Sequence, residues 1–539
     1  MHINLKKDHQ EKLVIAAIFF LFVFLRIINI NQPLARDEAL FKADYIHNPF
    51  PGNFIGSQGH PILFQLPNSL LASVFGPWNW VFRFTAFFSA CLTAIVLFYY
   101  LRKKSGITTA ALGLLILAIL PWHINASTNA LAMSLLALFS LLGLVFAEMY
   151  VESKKISHLL LCIVFSYAAA ITVLISVVVP LTIILYFFFS GRGIKKQAES
   201  IASFAMPYLI LFGLTFLVVY AIYPPNITSM LFHTQQLGTS SLVPVIELTP
   251  VLILFLWAGP LLLLGLYFLI SRIRSIKKNI HIIFIAVTIL VFFIFNSDHQ
   301  RPFDRYFMIL IPSLVIIAAQ STSLFISKAR RAFVISFAVF FVLFLLVALS
   351  SPPIIPLEPK GAFISHAIAS MGNIAVPYSS NAGPLGFYFP GIAIAACWVA
   401  CIALLALYLA SKKRRFLVLA VSCVLAFNMV LCLAQTGLVG TANADRAADD
   451  IVARLNGISL EKNVYVYINS GLFVYLDGKN VSAFDTYDFD KVLVGQNYSV
   501  IIVNFPLIPD DSPVWSRLRA CSTQFNSSKY GVEEAVYSC

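Results

Sequence analysis

Two adjacent carboxylates, Asp37 and Glu38, stand in the run Asn31-Gln32-Pro33-Leu34-Ala35-Arg36-Asp37-Glu38-Ala39-Leu40-Phe41, just beyond an apolar stretch that ends near Ile30. Neighbouring residues on a helix point about 100° apart, so one acid can face a substrate while the other meets a metal or a basic partner. A carboxylate at the edge of an apolar phase is partly desolvated, which raises its pKa toward the range useful to a general base. Such a pair suits removal of a proton from an acceptor hydroxyl. The plainer alternative is that both acids only cap and solvate a loop helix.

Other groups of the right type surround this pair in sequence. His60 lies in Gly56-Ser57-Gln58-Gly59-His60-Pro61, ahead of the apolar run Leu63–Phe75. It can share a divalent metal (Mg, Mn or Zn) with Glu38, hydrogen-bond a phosphate or sugar, or cap a re-entrant helix. Trp78-Asn79-Trp80-Val81-Phe82-Arg83 follows. The tryptophans read as an interface belt. Arg83, just inside an apolar run, is costly without an acidic or phosphate partner. Downstream, Arg301 and Arg305 offer guanidinium forks suited to phosphate, with Lys360 as a further cation. Arg305 reads equally well as a helix-end anchor at the interface.

The elements that must hold these residues are membrane spans. The chain has 539 residues, 59% hydrophobic and 11% charged, with a mean hydropathy of +0.86. Soluble domains run near 45–50% and about 25%, so this much apolar surface needs lipid as its solvent. Thirteen runs are long enough to span: 13–30, 79–101, 107–122, 128–150, 158–173, 175–190, 202–223, 250–271, 280–296, 306–325, 332–350, 390–411 and 416–436. The stretch 158–190, with Pro180 inside it, reads as one long helix or two short ones. Basic clusters at Arg102–Lys104, Lys154–Lys155, Arg192–Lys196, Arg272–Lys278, Lys328–Arg331 and Lys412–Arg415 decide for two, because only then do all six fall inside with the N-terminus. The net charge of +13 is therefore an orientation signal, which argues against nucleic acid as a partner.

On this topology the cytoplasmic loops are short, and the long polar segments lie outside: 31–78, 224–249, 297–305, 351–389 and the chain beyond 437. The expected fold is a polytopic α-helical membrane protein of about 13 spans, N-terminus in and C-terminus out. Residues 1–436 form the membrane domain and 437–539 a small extracytoplasmic α/β domain. That tail has strand-like runs at Asn463–Ile468 and Tyr498–Val503 and a turn signal at Asp477-Gly478. Cys521 and Cys539 within it can pair in an oxidising compartment. The other six cysteines lie in apolar runs, show no metal-ligand spacing, and read as small buried hydrophobes. The aromatics of Gly386-Phe387-Tyr388-Phe389-Pro390 suit sugar stacking, a lid, or an interface belt.

The order of these motifs resembles the GT-C membrane glycosyltransferases, most of all the protein O-mannosyltransferase and aminoarabinose transferase group (glycosyltransferase families 39 and 83). The likeness rests on a first span followed by Asp37-Glu38-Ala39, on Gly59-His60-Pro61, and on a second span opening with Arg83 among aromatics. The run Arg301-Pro302-Phe303-Asp304-Arg305-Tyr306 through Pro312 is similar to the family's Arg-Tyr motif. Together these cover about residues 1–325. The sequence departs from the pattern after the third span, where Pro121–Ser134 carries no acid or arginine.

Sidedness limits the donor. Nucleotide sugars are cytoplasmic, and the cytoplasmic loops are too short to cradle one. A sugar on a polyprenyl phosphate fits, since its tail can lie among the spans while its phosphate meets outer cations; the resemblance implies the same donor class. The expected reaction is inverting transfer of a monosaccharide to a glycolipid, glycan or protein acceptor on the outer face. Asp37 is its base, Glu38 assists, and Arg301, Arg305, Tyr306, His60, Arg83 and Lys360 bind the donor. The expected location is a bacterial inner membrane, with the site on the periplasmic side among membrane lipids. A lipid-linked sugar flippase and an O-antigen-ligase-like glycan ligase are the alternatives; scarce acids inside the spans disfavour ion-coupled transport.

Overall fold

The computed structural model describes residues 2–34, 36–47, 49, 61–190, 193–222, 279–295, 308–326, 328–350, 354, 372–376, 386–440, 443–467, 470–484, 497–505 and 507–539. Its helices in chain order are α1 (His2–Ile27), α2 (Arg36–His47), α3 (Ile62–Phe75), α4 (Asn79–Ser105), α5 (Ile107–Ala118), α6 (Pro121–Ser127), α7 (Met133–Ser153), α8 (Ile156–Thr172), α9 (Val178–Ser190) and α10 (Ile194–Ile222). They continue as α11 (Ile280–Phe295), α12 (Ile311–Ile326), α13 (Arg330–Leu349), α14 (Gly391–Ser411), α15 (Arg414–Gln435), α16 (Ala444–Arg454) and α17 (Pro513–Leu518). A helix lies within each expected span except 250–271, which is outside the described residues. Among the described residues, six helices are long and apolar enough to cross a bilayer by themselves. The protein is a polytopic helical membrane protein.

One stretch breaks where two spans are expected, and one expected span is bent. In 158–190 the chain breaks: Val173 is extended (φ −150°, ψ 131°) and a single 3-10 turn, Leu174–Val177, leads into α9. Pro180 falls in the first turn of α9, where a missing N–H costs nothing. The expected span 107–122 is not one straight helix either. α5 stops at Ala118, and α6 leaves it at 68° with Pro121 at its start.

The chain divides into two compact units. The first comprises Met1–Arg26, Asn48–Gly76 and Arg83–Arg330; the second comprises Ile27–His47, Pro77–Phe82 and Arg331–Cys539. In the first, small residues let helices approach closely, as expected where lipid removes the hydrophobic drive between helices. A Cβ added at Gly113 would sit 2.4 Å from Leu101 and 3.3 Å from the Cβ of Ala319. A polar network joins α4, α7, α11 and α12. Tyr100 donates to Glu148 at 2.6 Å, Lys104 pairs with Glu148 at 3.0 Å and with Glu152, and His281 bridges Tyr100 and Ser313.

In the second unit α13 packs on α15 through Ser336 and Ser422 (2.8 Å) and through Phe344 on Phe427, and α14 packs on α15 beside Cys401. The hairpin β1 (Asn373–Val376) and β2 (Phe387–Pro390) precedes α14. Beyond α15 lies a five-stranded mixed sheet of β3 (Asn463–Tyr467), β4 (Asn480–Phe484), β5 (Tyr498–Val503), β6 (Ser522–Ser527) and β7 (Glu534–Ser538), ordered β4-β3-β5-β7-β6. β3 pairs in parallel with β4 and β5; β7 is antiparallel to β5 and β6. Alternation along β5 fills both faces. Ile501 and Val503 meet Ala444, Ala447 and Ile451 of α16, while Val500 and Ile502 meet Val514 and Leu518 of α17. Both expected strands are present, Gly478 holds the left-handed turn (φ 73°), and Cys521 is disulfide-bonded to Cys539.

Candidate active site around the acid-bearing helix

The two acids fall in the first turn of α2, where the unpaired N–H groups and the helix dipole favour negative charge. Glu38 is fully buried. The backbone of Asp37 belongs to α2, and its side chain, like that of Arg36, is outside what the structure describes. The helix seats an apolar face: Phe41 meets Phe82 edge-on at 5.3 Å, and Tyr45 meets the same ring at 5.8 Å. Capping a solvated loop helix does not describe a helix whose second acid and apolar face are both buried.

Asn79, first residue of α4, is the hub beneath this helix. Its Oδ1 accepts from Lys42 Nζ at 2.9 Å and from the Tyr475 hydroxyl at 3.1 Å. Its Nδ2 donates to the carbonyls of Asn31 and Gln32 at 3.3 and 3.2 Å. The Tyr475 hydroxyl in turn accepts from the backbone N–H of Leu34 at 3.2 Å. Lys42 is four residues from Glu38, on the same helix face.

The first unit holds a second buried polar centre, in the stretch where the sequence shows no charge. Arg26 closes the end of α5: Nη2 donates to the Leu117 carbonyl at 3.0 Å and Nη1 to Ala118 at 3.3 Å, while its guanidinium lies 3.6 Å over the Phe22 ring. These are carbonyls left over at a helix C-terminus, the negative end of its dipole. Arg26 Nη2 also donates to His123 Nδ1 at 2.7 Å, which leaves the imidazole proton on Nε2. His123 Nε2, Trp122 Nε1, Asn125 Oδ1 and Asn129 Oδ1 are buried with no hydrogen-bond partner among the described residues. This is a neutral set of donors and acceptors, suited to hydroxyls or water more than to an ion.

Of the remaining expected site residues, Arg83 is buried, 1% exposed, in the first unit. His60, Arg301, Arg305, Tyr306 and Lys360 lie outside the described residues. The aromatics of β2 take none of the roles expected of them. Phe387, Tyr388 and Phe389 are all buried, and the Tyr388 hydroxyl accepts from the Leu507 N–H at 2.8 Å while its ring meets Phe505 edge-on. Burial raises the Tyr388 pKa well above its ordinary value. Tyr388 joins the core under the C-terminal sheet, while Phe389 packs edge-on against Phe387 and against Phe427 of α15. The contacts with the sheet and with α15 are long-range, and local sequence does not announce them.

Sequence reasoning missed two further groupings. Arg26 and His123 are 97 residues apart, and nothing local pairs them. Cys397, Cys401 and Cys423, all buried, place their sulfurs within 4.8 Å of one another. The four-residue spacing of Cys397 and Cys401 was the only available signal. Three thiols can hold a soft cation such as Zn; they are not the carboxylate–imidazole set of Glu38 and His60 expected from sequence.

No family model and no curated protein sequence matches the chain. Solved structures do. The crystal structure of ArnT from Cupriavidus metallidurans bound to undecaprenyl phosphate aligns over 98% of this chain and 97% of its own, with a TM-score of 0.55 at 15% identity. The apo crystal structure of the same protein aligns over 99% of this chain and 98% of its own, with a TM-score of 0.56 at 15% identity. The likeness covers nearly the whole of both chains, so this chain has the GT-C fold.

Proposed function

We propose that the chain is a glycosyltransferase that moves a monosaccharide from a polyprenyl-phosphate-linked donor to an acceptor on the outer face of the membrane. The observation that carries this reading is the full-length fold likeness to a structure that holds undecaprenyl phosphate, in a chain whose first long helix is followed at once by a helix opening on two acids. Asp37 takes the proton of an acceptor hydroxyl. The acceptor oxygen attacks the anomeric carbon from the face opposite the phosphate, the bond to the phosphate oxygen breaks, and the sugar is transferred with inversion. Glu38, buried beside it in sequence, holds Asp37's surroundings or a divalent metal shared with His60. Arg301, Arg305, Tyr306, Arg83 and Lys360 meet the departing polyprenyl phosphate.

In this reading the N-terminus is cytoplasmic, thirteen spans include 250–271, and residues 437–539 form an extracytoplasmic domain in a bacterial inner membrane. The acceptor is a glycolipid, a glycan or a protein. The test uses full-length protein in membranes with a panel of radiolabelled undecaprenyl-phosphate-linked sugars. Asp37→Asn should reduce transfer by about 10²–10⁴-fold, the usual contribution of a positioned base. Transfer by Asp37→Asn at the wild-type rate rejects the base assignment. Movement of the intact lipid-linked sugar across the bilayer, with no transfer by the wild type, favours a flippase.

A further inference from the structure

We infer that the C-terminal sheet region clamps the acid-bearing helix, and that Tyr475 is a positioning residue for Asp37 and Glu38. What the acids do rests on the transferase reading; the clamp itself does not.

The 3-10 turn Ser470–Tyr475 leads from β3 toward β4 and lies against α2. Through one hydroxyl Tyr475 ties together pieces from three parts of the chain. It accepts from the N–H of Leu34, three residues before Asp37, and donates to Asn79 at the head of α4. Lys42 Nζ, in the middle of α2, shares that same Asn79 oxygen and also lies 5.0 Å over the Tyr475 ring. Asn79 spends its amide protons on the Asn31 and Gln32 carbonyls. Both ends of the amide are thereby satisfied, with two hydrogen bonds accepted and two donated, and its orientation is fixed by chemistry: only the oxygen can face Lys42 and a hydroxyl donor.

The segment between α1 and α2 is short and mostly without regular structure. Further along α2, Phe41 and Tyr45 seat the helix against Phe82. The backbone is held at residues 31, 32 and 34, directly before the two acids, and the helix is held again at residue 42. An acid displaced by about 1 Å loses on the order of 10²-fold in rate, so the turn that fixes the helix start also governs the acid's usefulness. The hydrogen bonds of the clamp run among Tyr475, Asn79, α2 and the segment before α2. Loosening them should therefore lower kcat and leave the donor KM alone.

Hydrogen–deuterium exchange on the full-length protein in phosphatidylethanolamine–phosphatidylglycerol nanodiscs tests this. In Tyr475→Phe the ring stays and only the hydroxyl goes. Amides of residues 34–40 should exchange roughly tenfold faster, the equivalent of about 1.4 kcal/mol, within the range for lost hydrogen bonds, while β5 keeps its protection. Unchanged exchange in residues 34–40 overturns the clamp whatever the protein's activity. If β5 also loses protection, Lys42→Met decides, since Lys42 lies outside the sheet: it must loosen residues 34–40 alone, and failure to do so overturns the clamp. Transfer from the labelled undecaprenyl-phosphate sugars supplies the second readout. For Tyr475→Phe the expected result is kcat lowered by ten- to a hundredfold with donor KM within twofold. Wild-type kcat despite a loosened α2 overturns the positioning role. Absence of transfer by the wild type would sink the transferase reading, and the exchange result would still judge the clamp.

Discussion

Arg26 shows how a single residue can hold a break in a membrane helix. α5 ends inside the first unit with its last carbonyls unpaired, and the guanidinium supplies donors to two of them and a third to His123. Replacing Arg26 with Met should lower the apparent melting temperature in detergent, by the equivalent of about 3 kcal/mol, because buried hydrogen bonds to a charged donor are lost and their acceptors stay buried. Arg26→Lys, a point charge without the fork, should fall between the two. Equal melting of wild type and Arg26→Met would show that the bend at Ala118 needs no such support. A second residue, Glu534 in β7, is fully buried near Asp450. Burial first, and then the Asp450 charge, raise its pKa to about 8 from 4.5, with Arg454 and Lys529 opposing. The folded protein thus keeps a proton that the unfolded chain releases near pH 4.5. Its stabilising effect is complete below that pH, declines as pH rises toward 8, and is flat above. Glu534→Gln should remove this slope and melt higher than wild type at pH 8. The acids at 37 and 38 were legible in sequence because they are adjacent; Arg26–His123 and Asp450–Glu534 were not, because only the fold brings each pair together.

Among elements, hydrophobicity announced nearly every helix, and its period could not announce their ends. Helix α9 is legible as a separate element only through the basic clusters before α8 and after α9; the physical break is one extended residue, Val173, followed by a 3-10 turn. The bend between α5 and α6 falls at Pro121, which apolar composition had absorbed into one span. Close packing is a finer property again. At Gly113 a side chain would meet Leu97, Leu101 and Ala319 from two neighbouring helices, whereas Gly213 in α10 has no described neighbour within 4 Å. Gly113→Leu should destabilise by about 1–3 kcal/mol through forced separation of helices. Gly213→Ala should be neutral or stabilising by up to about 1 kcal/mol, as Ala relieves the backbone entropy of Gly in a helix. Thermal unfolding of both variants in the same detergent makes the comparison, and similar losses at the two positions would mean that the Gly113 contact relaxes without cost.

At the scale of the whole molecule, three features of the second unit bear on the proposed orientation of the protein. The turn Ser470–Tyr475 lies against α2, so the acids and the C-terminal sheet share one side of the membrane. The sheet carries the Cys521–Cys539 disulfide, whose cysteines flank the paired strands β6 and β7, and such bonds persist in oxidising compartments. The basic turn between α14 and α15, Lys412 and Lys413, lies at the opposite end of those helices from β2. All three accord with the proposed placement of Asp37 and Glu38 on the outer side, the arrangement that the positive-inside pattern implies from sequence alone. Cysteines introduced singly at the exposed positions His47, Ser516 and Lys413 test it with a membrane-impermeant maleimide on intact cells. His47→Cys and Ser516→Cys should label at once, and Lys413→Cys only after the membrane is opened. The disulfide adds a quantity to the same experiment. Closing a loop with a sequence separation of 18 is worth about 3 kcal/mol, so reductant should lower the melting of the sheet region by that amount and leave the helical bundle unchanged. Labelling of His47→Cys only after permeabilisation would put the acids in the cytosol, where a polyprenyl-linked sugar presented outside cannot meet them, and the transferase reading would fall with it.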